Sequence, residues 1–119
     1  MSSWIRRLLR QQARAVAAGG DYDDVEIGPV PPGEQWYVER VALEDQTTAI
    51  TKRGVAIRSA GAYYWLDEAV TTTAALRPGY QIRTFLNAGE TLVCRFTGAT
   101  ENDVLYAYAT GYYVEFQEP

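Results

Sequence analysis

MSSWIRRLLRQQARAVAAGG, residues 1–20, is the stretch on which the reading of the whole chain turns. Plotted at about 100° per residue, Trp4, Ile5, Leu8, Leu9, Ala15 and Val16 gather on one side. Arg6, Arg7, Arg10 and Arg14 take the other. Ser2 or Ser3 can cap a first turn, the Gly19-Gly20 pair can end the helix, and no Gly, Pro or acidic residue interrupts it. The pattern predicts a basic amphipathic helix. Such a helix is marginal alone, because Arg6 and Arg7 sit near the positive end of its dipole with no acid to offset them. It needs a surface, which makes Trp4, Ile5, Leu8 and Leu9 the expected apolar anchors and the four arginines their charged rim. The chain then divides into an anchoring helix, 1–20, and a body, 21–119.

From Asp21 onward the periodicity changes to short alternating runs separated by Gly, Asn, Asp and Pro. Expected strands are 25–30, 35–43 with a bulge near Glu39-Arg40, 47–51, 55–58, 62–66, 80–86, 91–97 and 104–116. Lys52-Arg53-Gly54 reads as a hairpin loop, Ser59-Ala60-Gly61 as a turn, and Asn87-Ala88-Gly89-Glu90 as a second hairpin connection. The Thr-rich segment 69–75 reads as a strand or a long loop. In 104–116, Val104, Tyr106, Tyr108, Tyr112, Val114 and Phe116 share one face. Leu105, Ala107, Ala109 and Gly111 share the other, which suits packing against a second sheet or a subunit. The expected fold is an all-β, roughly eight-stranded antiparallel sandwich of jelly-roll or Greek-key type, preceded by one N-terminal helix.

Composition narrows function mainly by exclusion. The 119 residues hold no histidine and one cysteine, Cys94. Imidazole catalysis, histidine-based zinc sites and intrachain disulfides are therefore ruled out. The net charge of −4 hides a division. The first twenty residues carry four arginines and no acid, so the other seven bases face all fifteen acids in a body of −8. An acidic body repels phosphate, and the arm offers little base readout, so no specific nucleic-acid partner is expected. No run of 18 apolar residues is present.

Acidic clusters at Asp21, Asp23 and Asp24, at Asp67 and Glu68, and at Glu101 to Asp103 lack the spaced ligand order of a calcium loop. They read as solvated turns, and neither a metal nor a cofactor is expected. The aromatics Tyr63, Tyr64, Trp65, Tyr106, Tyr108 and Tyr112 read as core or interface, or alternatively as a glycan platform.

Two segments are similar, taken together, to a known group. PPGEQWYVERVAL at 31–43 and LNAGETLVCRFTGATENDV at 86–104 resemble small β-sandwich virion accessory proteins of tailed bacteriophages, such as capsid-decoration, head-fibre, neck and tail accessory proteins. The resemblance implies a non-enzymatic structural protein located in the virion, assembled in the host cytoplasm and partnered by its own copies and other virion proteins. Residues 1–16 occupy the anchoring position. Two alternatives from other classes stand beside this: a glycan-binding sandwich module, and a membrane-surface protein that inserts the same helix.

Overall fold

The computed structural model describes residues 3–48, 50–70 and 79–117. Among the described residues, eight strands form two four-stranded sheets: β1 (Ser3–Val16), β2 (Tyr22–Ile27), β3 (Glu34–Asp45), β4 (Lys52–Ser59), β5 (Ala62–Val70), β6 (Gly79–Leu86), β7 (Thr91–Thr97) and β8 (Val104–Gln117). Sheet A runs β1-β8-β3-β6 and sheet B runs β2-β7-β4-β5. The antiparallel pairs β1·β8, β2·β7, β3·β6 and β4·β5 fold the chain like one long hairpin rolled over on itself. That winding is a jelly roll. The core lies between the sheets, where Leu9, Val25, Ile27, Val38, Val41, Leu43, Val55, Leu86, Leu92, Phe96 and Leu105 are buried.

The predicted N-terminal helix is absent. Residues 3–16 are instead a strand, in register with β8 from Ser3 opposite Gln117 to Val16 opposite Val104. A period of two divides the apolar residues of the expected helical stripe between the two faces of the strand. Leu9, Ala13 and Ala15 pack at the core with Ile5 half-buried on the same side of the strand, while Trp4, Arg6, Leu8, Arg10, Gln12, Arg14 and Val16 face out. A helix here would have an unfavourable dipole and no partner. The strand gains a fourteen-residue ladder and buries Leu9 completely. Gly19-Gly20 is likewise no free hinge. Ala17 N–H donates to the Asp103 carbonyl at 2.8 Å, Asn102 N–H donates to the Ala17 carbonyl at 2.9 Å, and Ala18 N–H donates to Asp23 Oδ1 at 2.8 Å. A Cβ on Gly19, where φ is +82°, would sit 2.8 Å from Glu101 Cβ.

Two turn assignments also change. Lys52-Arg53-Gly54 is not a loop but the start of β4. Gly54 lies under the Trp65 ring, where a Cβ would come within 2.9 Å of Cζ3, so the glycine makes room for an aromatic neighbour. Residues 87–90 do not close a hairpin. They carry the chain from β6 in sheet A to β7 in sheet B, with Glu90 Oε1 accepting from Asn87 N–H at 2.7 Å. Ala60 (φ 50°) and Gly61 (φ 82°) turn β4 into β5, as the sequence suggested. The expected bulge in β3 falls between Val38 and Arg40. Most of the Thr-rich segment 69–75 lies outside the described residues.

Candidate docking face

Because Leu105, Ala107 and Ala109 of β8 pack inward, the large residues of that strand cover the outer face of sheet A. Cross-strand register sorts this face into rows. Leu8, Tyr112, Tyr37 and Phe85 form one row from β1 to β6. Tyr37 and Tyr112 stack face to face with centroids 4.7 Å apart and planes 10° apart, and Phe85 follows at 6.2 Å. The Arg6 guanidinium caps the ladder 4.0 Å above the Tyr112 ring. Tyr37 Oη donates to Gln35 Oε1 at 2.7 Å, and Gln35 Nε2 donates to Asn87 Oδ1 at 2.7 Å.

The neighbouring row holds Arg10, Thr110 and Arg40. Further along the face, Arg14 opposes Tyr106, Tyr106 and Tyr108 stack at 6.3 Å, and Tyr108 Oη donates to Glu44 Oε1 at 3.3 Å. At the other end Trp4 meets Phe116 edge-on at 5.2 Å.

Much of this face is exposed to solvent. Trp4 is 58% exposed and Leu8 65%, and Val16 and Phe85 are more than half exposed. Among the described residues, no carboxylate lies within ion-pairing distance of Arg10, Arg14, Arg40 or Arg83. Four other bases form ion pairs: Arg7 with Glu115 at 3.4 Å, Lys52 with Glu68 at 2.9 Å, Arg58 with Glu26 at 2.7 Å, and Arg95 with Asp24 at 2.8 Å. Two clefts flank Tyr112. One of about 470 Å³ is lined by Tyr37, Glu39, Arg83, Thr84 and Phe85, and one of about 360 Å³ by Arg6, Arg7, Leu8, Glu39 and Gly111.

Gly111 sets this relief. A Cβ there would collide with the Tyr37 carbonyl oxygen, so only glycine lets β8 pass so close to the β3 bulge.

Of the eight anchoring residues anticipated from sequence, Trp4, Arg6, Leu8, Arg10 and Arg14 share the outer face. Ile5 and Leu9 turn inward, and Arg7 pairs with Glu115 at the edge of the sheet. The six anticipated aromatics divide: Tyr106, Tyr108 and Tyr112 belong to this face, whereas Tyr63, Tyr64 and Trp65 belong to β5 in sheet B. On sheet B the Arg95 guanidinium lies between Tyr22 (3.7 Å) and Trp65 (4.7 Å) and forks onto Asp24 through Nε (2.8 Å) and Nη2 (2.9 Å). Its pKa is raised, first by those bonds to Asp24. Cys94 is fully buried, and burial pushes its thiol up to about 12. It therefore offers no nucleophile at neutral pH. The sequence reading does not single out Tyr37, Arg40 or Phe85 as site residues; the available signal is that Arg83 and Phe85, two apart, share a face of the expected strand 80–86.

The molecule is thus an eight-stranded jelly roll with an arginine-and-aromatic face on one sheet. No family model matches the chain, and no curated protein is similar to it. Among solved structures it is similar to dimeric latent PorU from Porphyromonas gingivalis, with 11% identity and a TM-score of 0.41 over 90% of this chain and 13% of that one. It is also similar to an exo-β-1,3-galactanase from Phanerochaete chrysosporium, solved with galactose, with 14% identity and a TM-score of 0.32 over 94% of this chain and 29% of that one. The chain spans less than a third of either protein.

Proposed function

We propose that this chain is a non-enzymatic structural subunit that docks into a larger protein assembly through the outer face of sheet A. The assembly that fits is a tailed-phage particle, whose accessory sandwiches its two quoted segments resemble. One observation carries the reading: a continuous, largely exposed face holds Trp4, Leu8, Tyr112 and Phe85 together with Arg10, Arg14, Arg40 and Arg83, none of which forms an ion pair among the described residues. Apolar area rimmed by charge is what a protein interface buries, and arginine and aromatics are enriched there. The arginines suit an acidic partner surface, and the remainder of this chain carries the excess of acid that a second copy can present.

A glycan platform draws less support from the geometry. Sugar stacking needs an open ring face, and Tyr112 spends its two faces on Arg6 and Tyr37. Light scattering across a concentration series of the full chain, beside Leu8→Asp and Arg10→Glu, tests the proposal. Self-association in the parent chain that both variants lose is expected. A parent chain monomeric up to its solubility limit, or variants that associate equally well, would refute docking of copies through this face.

A further inference from the structure

β1 closes sheet A on one side, and among the described residues no strand pairs with its other edge. It is fourteen residues long, with Leu9 buried, Ile5, Ala13 and Ala15 half-buried and the rest exposed. Such an edge offers a row of N–H and C=O groups to a further strand. What β1 carries against indiscriminate pairing is a pattern of charge. On its outer side Arg6, Arg10 and Arg14 alternate with Trp4, Leu8 and Gln12, so an arginine recurs at every fourth residue.

That pattern selects a register between two copies. Two β1 strands that extend one sheet about a twofold axis run antiparallel, with facing residues on the same side of the sheet. The axis must pass through a residue position, because an axis between residues would set the outer face of one copy beside the inner face of the other. Centring on Leu8, Arg10 or Gln12 places arginine opposite arginine, and centring on Arg7 places that residue opposite itself, all of which are unfavourable. Of the central positions, Leu9 and Gln11 alone avoid every such clash, and Leu9 pairs the longer stretch, Ser3 to Ala15. There Arg14 faces Trp4, Arg10 faces Leu8, and Arg6 and Arg7 face the amides of Gln12 and Gln11. Each guanidinium meets a ring, an aliphatic side chain or a carbonyl oxygen.

We propose that the chain pairs edge to edge with a second copy through β1, antiparallel about a twofold axis at Leu9, joining two copies of sheet A into one continuous sheet. This goes beyond docking through the outer face and does not rest on it; the pairing lays two such faces side by side. The paired stretch at about 3.3 Å per residue makes a seam about 43 Å long. At roughly 10 Å across it buries on the order of 900 Å² in total, which belongs to weak, reversible dimers. Both copies bring Arg6, Arg10 and Arg14 to the seam, so added salt screens their repulsion and tightens the pair, whereas salt loosens an arginine face held on an acidic surface.

Sedimentation equilibrium of the full chain at low and high NaCl, beside Gln12→Glu and Gln12→Arg, tests the pairing. Gln12 is exposed on the outer side and faces Arg6 of the second copy. Gln12→Glu should tighten the dimer and Gln12→Arg loosen it, each by about 2- to 30-fold from two cross-strand pairs. Docking of the outer face on acid requires the opposite signs, so the two readings fail separately. Oxidative cross-linking reads the register, since facing residues lie about 4.5–5.5 Å apart, within disulfide reach. Trp4→Cys/Arg14→Cys should give a covalent dimer; on one extended strand these positions are about 33 Å apart, so the bridge cannot form within a chain. Leu8→Cys/Arg14→Cys, which needs the axis at Gln11, and Arg10→Cys, which needs it at Arg10, should not, and the native Cys94 is buried. A chain monomeric at high salt up to its solubility limit, or a dimer loosened by Gln12→Glu, overturns the pairing; cross-links in the other two variants and not in the first overturn the register.

Discussion

Leu8 and Leu9 are adjacent, chemically identical and opposite in environment, so truncating each to alanine isolates the physics of β1. Leu9 has no exposure and packs in the core opposite Gly111, whereas Leu8 is 65% exposed on the outer face. Removing a fully buried leucine to alanine costs about 2–5 kcal/mol, the spread reflecting how far the cavity collapses. For a domain of this length, 1 kcal/mol moves the unfolding midpoint by about 4 °C, so Leu9→Ala should lower it by about 8–20 °C. Leu8→Ala should stay within about 2 °C, as surface substitutions do. Circular-dichroism melts give the midpoints. Urea titrations check that the slope m is unchanged, so that the loss is one of stability and not of cooperativity. A docked helix would place both leucines on one apolar stripe and make the two variants alike. Equal losses, or a Leu9→Ala chain that melts with the parent, would refute the strand assignment and the rows built on it.

Gly111→Ala should destabilise by about 2 kcal/mol or more, because the new Cβ meets the Tyr37 carbonyl oxygen where β8 passes the bulge; urea unfolding measures it, and a neutral result would contradict the close approach of the strands. Arg95→Lys keeps the charge but loses the fork onto Asp24 and the flat contact with Tyr22 and Trp65. Stability should fall by about 1–2 kcal/mol, and Lys matching Arg in a thermal melt would make the sandwich of rings incidental. Glu26 is held below the usual carboxylate range, first by the hydrogen bond from Arg58, with burial opposing. A depressed folded pKa gives stability that is present above the unfolded value and lost as pH falls through the folded one, so Glu26→Gln should flatten the acid limb below about pH 4.5. An acid limb identical to the parent's would show that the pair contributes nothing.

Most of the body could be read because its strands carry local signals. From Tyr106 to Gly111 β8 alternates larger with small residues, and the small face suited a second sheet. The β3 bulge announced itself as a change of parity at Glu39, and Ser59-Ala60-Gly61 supplied residues that tolerate positive φ. The failures share a different cause. Gly54 looked like punctuation because the ring that needs its space, Trp65, arrives from another strand. The 87–90 turn contained every residue of a hairpin connection, yet turn chemistry does not say whether the next strand stays in the same sheet. Local sequence specified the bend, and the core decided its destination.

β1 shows the limit most sharply, since Trp4-Ile5 and Leu8-Leu9 fit periods of both 3.6 and 2. What separates the two readings is non-local: a strand of fourteen residues at the far end of the chain, with small residues facing in, waits for a partner of equal length. The arginines also make sense only in the strand. On an edge strand that exposes Trp4 and Leu8, an arginine at every second outward position interrupts the apolar surface and guards against indiscriminate edge pairing. The same spacing leaves guanidiniums in register with Thr110 and Tyr106 across β8, where no carboxylate among the described residues forms an ion pair with them. Residues that seemed to belong to a detachable arm are therefore part of the jelly roll, so the docking proposed above would use a paired sheet strand instead of a flexible tether.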